Sequence, residues 1–183
     1  MSILADTSAT VIPAGTWSID PAHSAVEFHI KHLGLTTVKG RAPVVSGAIE
    51  GGEEPSIAGT VAVSSITTFD GNRDGHLQSP EFFDVERYPE LSFLSTDISF
   101  RGDDLAVEGE LTVKGITKPV ALRGAFSGSN VDPWGNDRIG VELEGTVDRT
   151  DWELKWNAPL PGGGFLLPND VKLTATFSAV KTG

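Results

Sequence analysis

The chain has 183 residues, no cysteine, and 14 Lys and Arg against 25 Asp and Glu, a formal net charge of −11. That length suits a single domain and lets roughly 70% of the unfolded surface be buried without staples. Disulfides and thiolate metal sites are excluded, and the average field repels nucleic acid and anionic membrane surfaces.

Residues 1–13 lack a basic leader and are interrupted by Asp6, Thr7 and Ser8. They read as a flexible N-terminus before a domain at 14–183, and the chain is expected to be cytoplasmic. No stretch has the apolar length of a membrane span. From there the pattern is strand after strand with period two. Val26, Phe28 and Ile30 share one face, opposite Glu27, His29 and Lys31. The alternation returns at Ile57, Val61 and Val63, at 105–113, at 120–126, at 139–147 and at 171–179. One face apolar and one wet is the antiparallel pattern. Leu91 and Phe93 break parity with Ile98 and Phe100, so a β-bulge is predicted between them.

Turn residues punctuate these runs at Glu50-Gly51-Gly52, Gly102-Asp103-Asp104, Lys114-Gly115 and Asp132-Pro133-Trp134-Gly135-Asn136. One helix is predicted within 73–87, centred on 77–85, with Ser79 as N-cap and Pro80 in its first turn. Strands of about 8 to 12 residues exceed the usual 5 or 6. At ~3.3 Å per residue they make a sheet ~30–40 Å tall. The fold class is therefore all-β: an elongated antiparallel barrel of about eight strands, one end capped by a short helix. Its interior is either packed with side chains or open to an apolar guest. The small inward residues Gly109, Gly145, Ala175 and Ala179 favour leaving room.

The motifs that carry chemistry are few. Residues 70–81 match the calcium-loop pattern D-x-N-x-D-G-x5-E. The segment before them, Val61 to Phe69, is β-prone rather than helical, so the sequence reads as a polar loop entering a short helix. His29 and His32 point to opposite faces of one strand. His32 faces inward near a strand end; it and His76 read first as two satisfied structural histidines and second as a polar pair at a barrel mouth, and no metal site is expected. There is no cysteine and no G-x-S-x-G elbow for nucleophilic catalysis. Glu108, Glu110, Glu142 and Glu144 read as a solvated face. Pro161-Gly162-Gly163-Gly164 lacks a phosphate-loop lysine and reads as a rim loop. Trp152, Leu154 and Trp156 alternate as one strand face.

A series of motifs resembles the YceI-like polyisoprenoid-binding family. It runs His23-Ser24-x-Val26-x-Phe28-x-Ile30-x-His32-Leu33, Val38-x-Gly40, Arg73-Asp74-x-His76-Leu77-x-Ser79-x-x-Phe82-Phe83-Asp84, Gly109-x-Leu111-Thr112-Val113-Lys114-Gly115, Asp132-Pro133-Trp134-Gly135 and Arg149-x-Asp151-Trp152, ending at Trp156-Asn157. The resemblance covers about 15–181. It implies a lipocalin-like barrel holding an isoprenoid quinone, a polyprenyl phosphate or a related lipid, with no catalysis. Many members are periplasmic. This chain departs from the pattern at Glu153, where glycine is expected, and at Ala42, where an aromatic residue is common.

On this reading the lumen wall is Phe28, Ile30, Leu91, Phe93, Leu111, Val113, Phe126, Leu143, Val147 and Phe177. A head group meets His32, Arg73, His76 and Trp152 at the mouth. The partner is a long isoprenoid lipid, with no cofactor beyond it, no nucleic acid and no stable membrane insertion; a homodimer is compatible with the exposed strands. The acidic surface favours a neutral quinone head over a diphosphate unless local arginines dominate. Affinity is expected to rise with chain length until a lumen of ~35 Å is filled. A lipid-processing hydrolase, a fatty acid or fatty amide binder, and a filled structural barrel remain the alternatives.

Overall fold

The alternating runs form ten antiparallel strands in the computed structural model of the chain, which describes residues 11–43 and 45–183. They are β1 (Gly15–Ile19), β2 (Ala25–His32), β3 (Thr36–Ala42), β4 (Val45–Gly51), β5 (Ser56–Ala62), β6 (Glu90–Arg101), β7 (Asp104–Val113), β8 (Ile116–Val131), β9 (Asp137–Asp148) and β10 (Asp170–Lys181). Helix α1 (Gly71–Gln78) lies between β5 and β6.

Eight strands close a ring in the order β1-β4-β5-β6-β7-β8-β9-β10, sealed by β1 on β10 through Trp17↔Lys181, Ser18↔Val180 and Ile19↔Ala179. Closure removes the free edges of these eight strands, which would otherwise invite pairing with other chains. The two extra strands continue existing lines. After the 3-10 turn Pro21–His23 the chain resumes along β10 as β2, pairing Ala25↔Thr176 through His29↔Lys172, and β3 pairs with β2. Beyond β3 the sheet holds by one bridge, Arg41↔Thr67. There the segment carrying α1 crosses in place of a strand. The predicted bulge is present: the β6–β7 register slips between Ser95 and Asp97. That slip lets Leu91, Phe93, Ile98 and Phe100 all pack against the core despite their opposite parity.

The helix sits earlier than the sequence suggested. Asp70, not Ser79, is the N-cap: its carboxylate accepts from the Arg73 N–H at 2.9 Å. Ser79 closes the C-terminal end, its hydroxyl donating to the His76 carbonyl at 2.6 Å. A Ser-Pro pair begins or ends a helix equally well, because proline suits the first turn and also cannot continue a helix already formed. After Pro80 the chain folds into turns held by Phe83 N–H to Leu77 O and Val85 N–H to Gln78 O, both 2.9 Å. Residues 152–156 are not a strand either. Arg149–Trp152 is a 3-10 turn, ended by Glu153 in the left-handed region at φ 60°. The glycine expected at 153 is what that backbone favours.

One end of the barrel is solid. Trp17, Ile49, Leu105, Val107, Ile139 and Val141 are buried side by side. Ile12 is fully buried with them, its carbonyl accepting from the Gly52 N–H at 2.9 Å. Ile12 is thus packed on the barrel, between the exposed Val11 and Pro13; residues 1–10 lie outside the described residues. On the rim of this end, Arg138 donates to Asp20 and to Asp132, each at 2.8 Å. These bonds tie β9 to the β1–β2 break and to the β8–β9 turn.

The Arg138 bond, followed by that of His23, holds the Asp20 carboxyl down to about 2 from 3.8. A carboxyl depressed in the folded state stabilises above its unfolded pKa, and that contribution fades as pH falls toward the folded value. Arg138→Met is therefore expected to melt lower than the parent at pH 7, with the gap closing between about pH 4 and 2; denaturation followed by circular dichroism at both ends of that range checks it. Glu153→Gly relieves a left-handed non-glycine residue and is expected to raise the melting temperature by about 2 °C in a scanning experiment.

Candidate lipid cavity

Above the packed end the barrel is hollow, with a cavity of about 670 Å³. Its wall is almost wholly apolar. Of the ten predicted wall residues, Phe28, Ile30, Leu91, Phe93, Leu111, Val113, Leu143, Val147 and Phe177 border it. Phe126 does not; it packs in the solid end, where β8 slips register between Phe126 and Gly128. The lumen is accordingly shorter than the strands.

The space exists because large side chains lie against the wall instead of across it. A Cβ on Gly40 would come within 2.1 Å of the Phe28 ring, its cross-strand partner. A Cβ on Gly109 would meet the Phe93 ring at 2.4 Å. Each ring spreads over a bare glycine backbone. Gly145 gives the same room to Leu122. The small inward residues thus make space for neighbouring side chains; among them only Ala175 borders the cavity, while Ala179 is buried in the packed end. Ala42 is buried and also borders the cavity, so the missing aromatic ring leaves volume there.

At the other end the cavity is roofed by α1 and by residues 153–168. His32, Arg73, His76 and Trp152 all border it. No bond joins His32 to His76 among the described residues. Trp152 is buried and its indole N–H donates to the Leu111 carbonyl at 3.0 Å, which commits it to the wall. Arg73 folds back, donating from Nε to the Thr68 hydroxyl at 2.7 Å and from Nη2 to the Thr68 carbonyl at 2.9 Å. The acidic residues of the calcium-like loop hold the roof in place. Asp70 caps α1, and Asp74 accepts from the Thr68 N–H and hydroxyl at 2.7 and 2.6 Å. Burial pushes the Asp74 carboxyl up, but those bonds, one from Thr67 and the Arg73 charge outweigh it and hold it low. Glu81 bonds the His76 ring. That ring also stands edge-on to Phe82 and Trp156, with centroids 5.0 and 4.7 Å away. No hydroxyl bonds the His76 ring among the described residues, and no cluster of three metal-ligating side chains occurs among them.

Periodicity did not single out Arg149. It is 5% exposed and borders the cavity. Its Nε donates to the Pro168 carbonyl at 2.9 Å, and Nη1 donates to those of Leu154 and Trp156 at 2.6 and 2.9 Å. The rim loop is gathered around this guanidinium. The carbonyls of residues 154 and 156 turn onto it, not onto a neighbouring strand. Burial lowers the Arg149 pKa from its usual value, with Asp148 countering in part. Leu166 and Leu167, also bordering the cavity, lie in that loop and carry no periodic signal.

Several solved structures share this fold. The chain superposes on BcnA of Burkholderia cenocepacia with a TM-score of 0.72 and 18% identity, covering 88% of this chain and 99% of that one. A polyisoprenoid binding domain from Saccharophagus degradans, implicated in plant cell wall breakdown, gives 0.69 at 14% identity over 91% and 98%. Among sequences, YceI from Escherichia coli O17:K52:H18 is 36% identical over 154 residues, 81% of each chain. A UPF0312 protein of Pectobacterium atrosepticum is 34% identical over 158 residues, 84% of this chain and 82% of its own. The family model of the YceI-like domain matches residues 17–179, nearly the whole described barrel, and the chain belongs to that family.

Proposed function

We propose that the chain binds a long isoprenoid lipid non-covalently, as a carrier or store, with the tail in the lumen and the head under the roof. The observation that carries this reading is the cavity: hollow, apolar and floored by packed side chains. Such a space favours a flexible hydrocarbon, each buried methylene contributing about 0.8 kcal/mol before ordering costs. The similarity to a polyisoprenoid binding domain supports an isoprenoid over other tails. Isoprenoid quinones and polyprenyl phosphates both satisfy these requirements. The hollow lumen supports a guest over the filled-barrel alternative. A hydrolase working through a side-chain nucleophile would need a hydroxyl beside its base, and the ring of His76, the best-placed group, bonds Glu81 and no hydroxyl among the described residues.

Purified protein extracted with organic solvent and examined by mass spectrometry is expected to release an intact long-chain lipid; cleaved products would favour the enzyme. Leu143→Trp places an indole where a 3%-exposed leucine now borders the cavity. It is expected to abolish lipid carriage while leaving the β circular-dichroism spectrum unchanged, and undiminished lipid in native mass spectrometry would count against the cavity. Gly40→Ala should act more mildly: its methyl group displaces the Phe28 ring from the wall, lowering affinity about tenfold in a fluorescence titration with a prenyl chain.

A further inference from the structure

Arg149 holds a buried charge whose nearest anionic influence, that of Asp148, comes without a hydrogen bond or ion pair between them. No carboxylate pairs with it among the described residues. Asp148, its sequence neighbour, accepts instead from the N–H and hydroxyl of Thr150 at 2.9 and 2.6 Å. The two carboxylates that border the cavity are turned elsewhere. Asp70 caps α1, and Glu27 lies 3.7 Å from His29.

A guanidinium has five N–H donors, and Nε and Nη1 supply three of them to loop carbonyls. Nη2 donates to no protein atom among the described residues. Arg149 is buried and lines the lumen. The site is built: three carbonyls fix the guanidinium plane, and its remaining edge is free. An unpaired buried cation calls for an anion or a strong acceptor. Trp156, whose carbonyl accepts from Arg149, meets His76 with its ring, so this edge lies beneath the roof where a head group would stop.

Resting on the lipid-binding reading, we propose that Arg149 is the head-group donor of the lumen and that it selects tails ending in an acidic oxygen, a phosphate or a carboxylate, over neutral ends. Selection then follows the head more than the tail, so fatty carboxylates enter as well as prenyl phosphates. This reverses the preference for a neutral quinone that the overall charge of −11 suggests, because a buried charge acts at contact distance while surface charges are screened.

The test compares matched pairs by titration: geranylgeranyl phosphate against geranylgeraniol, and palmitate against hexadecanol. The wild-type chain is expected to bind each acid about tenfold or more tightly than its alcohol. Arg149→Gln removes the charge but keeps a donor for the loop carbonyls, and is expected to bring acid and alcohol together; Arg149→Lys restores part of the preference. Preference for both acids supports the assignment; preference for phosphate alone overturns selection of any acidic oxygen and confines it to a doubly charged head. Equal wild-type affinity for acid and alcohol overturns it while leaving the lipid reading intact, as does an acid preference undiminished in Arg149→Gln. Where Arg149→Gln does not fold, the wild-type ratio decides. Binding of none of the four probes overturns the lipid reading itself.

Discussion

The barrel depends on β10 having two neighbours along one edge. Its first half pairs with β2 and its last three residues with β1, so the chain must break between those strands and rejoin the same edge. The Pro21–His23 turn makes that break. Asp20 secures it by capping the turn at the Ala22 N–H and receiving Arg138 from β9. Without the short β1–β10 ladder the sheet would be an open ribbon, with nothing to hold an interior away from water.

Closure alone does not make a lumen. The same antiparallel ring is solid at one end and hollow at the other, and side-chain placement makes the difference. At the solid end Trp17, Ile12 and Phe126 are buried in one cluster with branched residues. In the hollow half the large rings of Phe28 and Phe93 rest on glycine backbone, leaving the axis clear. The roof is assembled separately, through charged and aromatic side chains instead of a β ladder. Asp74 gathers Thr67 and Thr68, His76 stands edge-on to Phe82 and Trp156, and Arg149 gathers the rim loop.

Much of this was legible in the sequence, for a physical reason. Inward and outward positions on a strand alternate by geometry, so Leu111, Leu143 and Phe177 could be placed on the wall without a structure. The parity break after Phe93 located the bulge. Phe126 eluded the same rule because alternation tells which face a side chain takes, not its height along the axis. The helix was misplaced because Ser79-Pro80 carries the signals of both a start and a stop. The role of Arg149 has no local signature, since its partners at 154, 156 and 168 are backbone carbonyls that any residue supplies.

Because the floor is packed, traffic through the lumen is one-ended. On the proposed lipid-binding reading, a guest enters tail first and leaves head first by the same route, so a second chain cannot push the first out from behind, and each barrel empties before it refills. A blind tube is also a gauge. Carbons beyond its depth stay in water and add nothing to the grip, so the position of the Trp17 and Phe126 plug, more than the chemistry of the wall, sets how long a tail is worth holding.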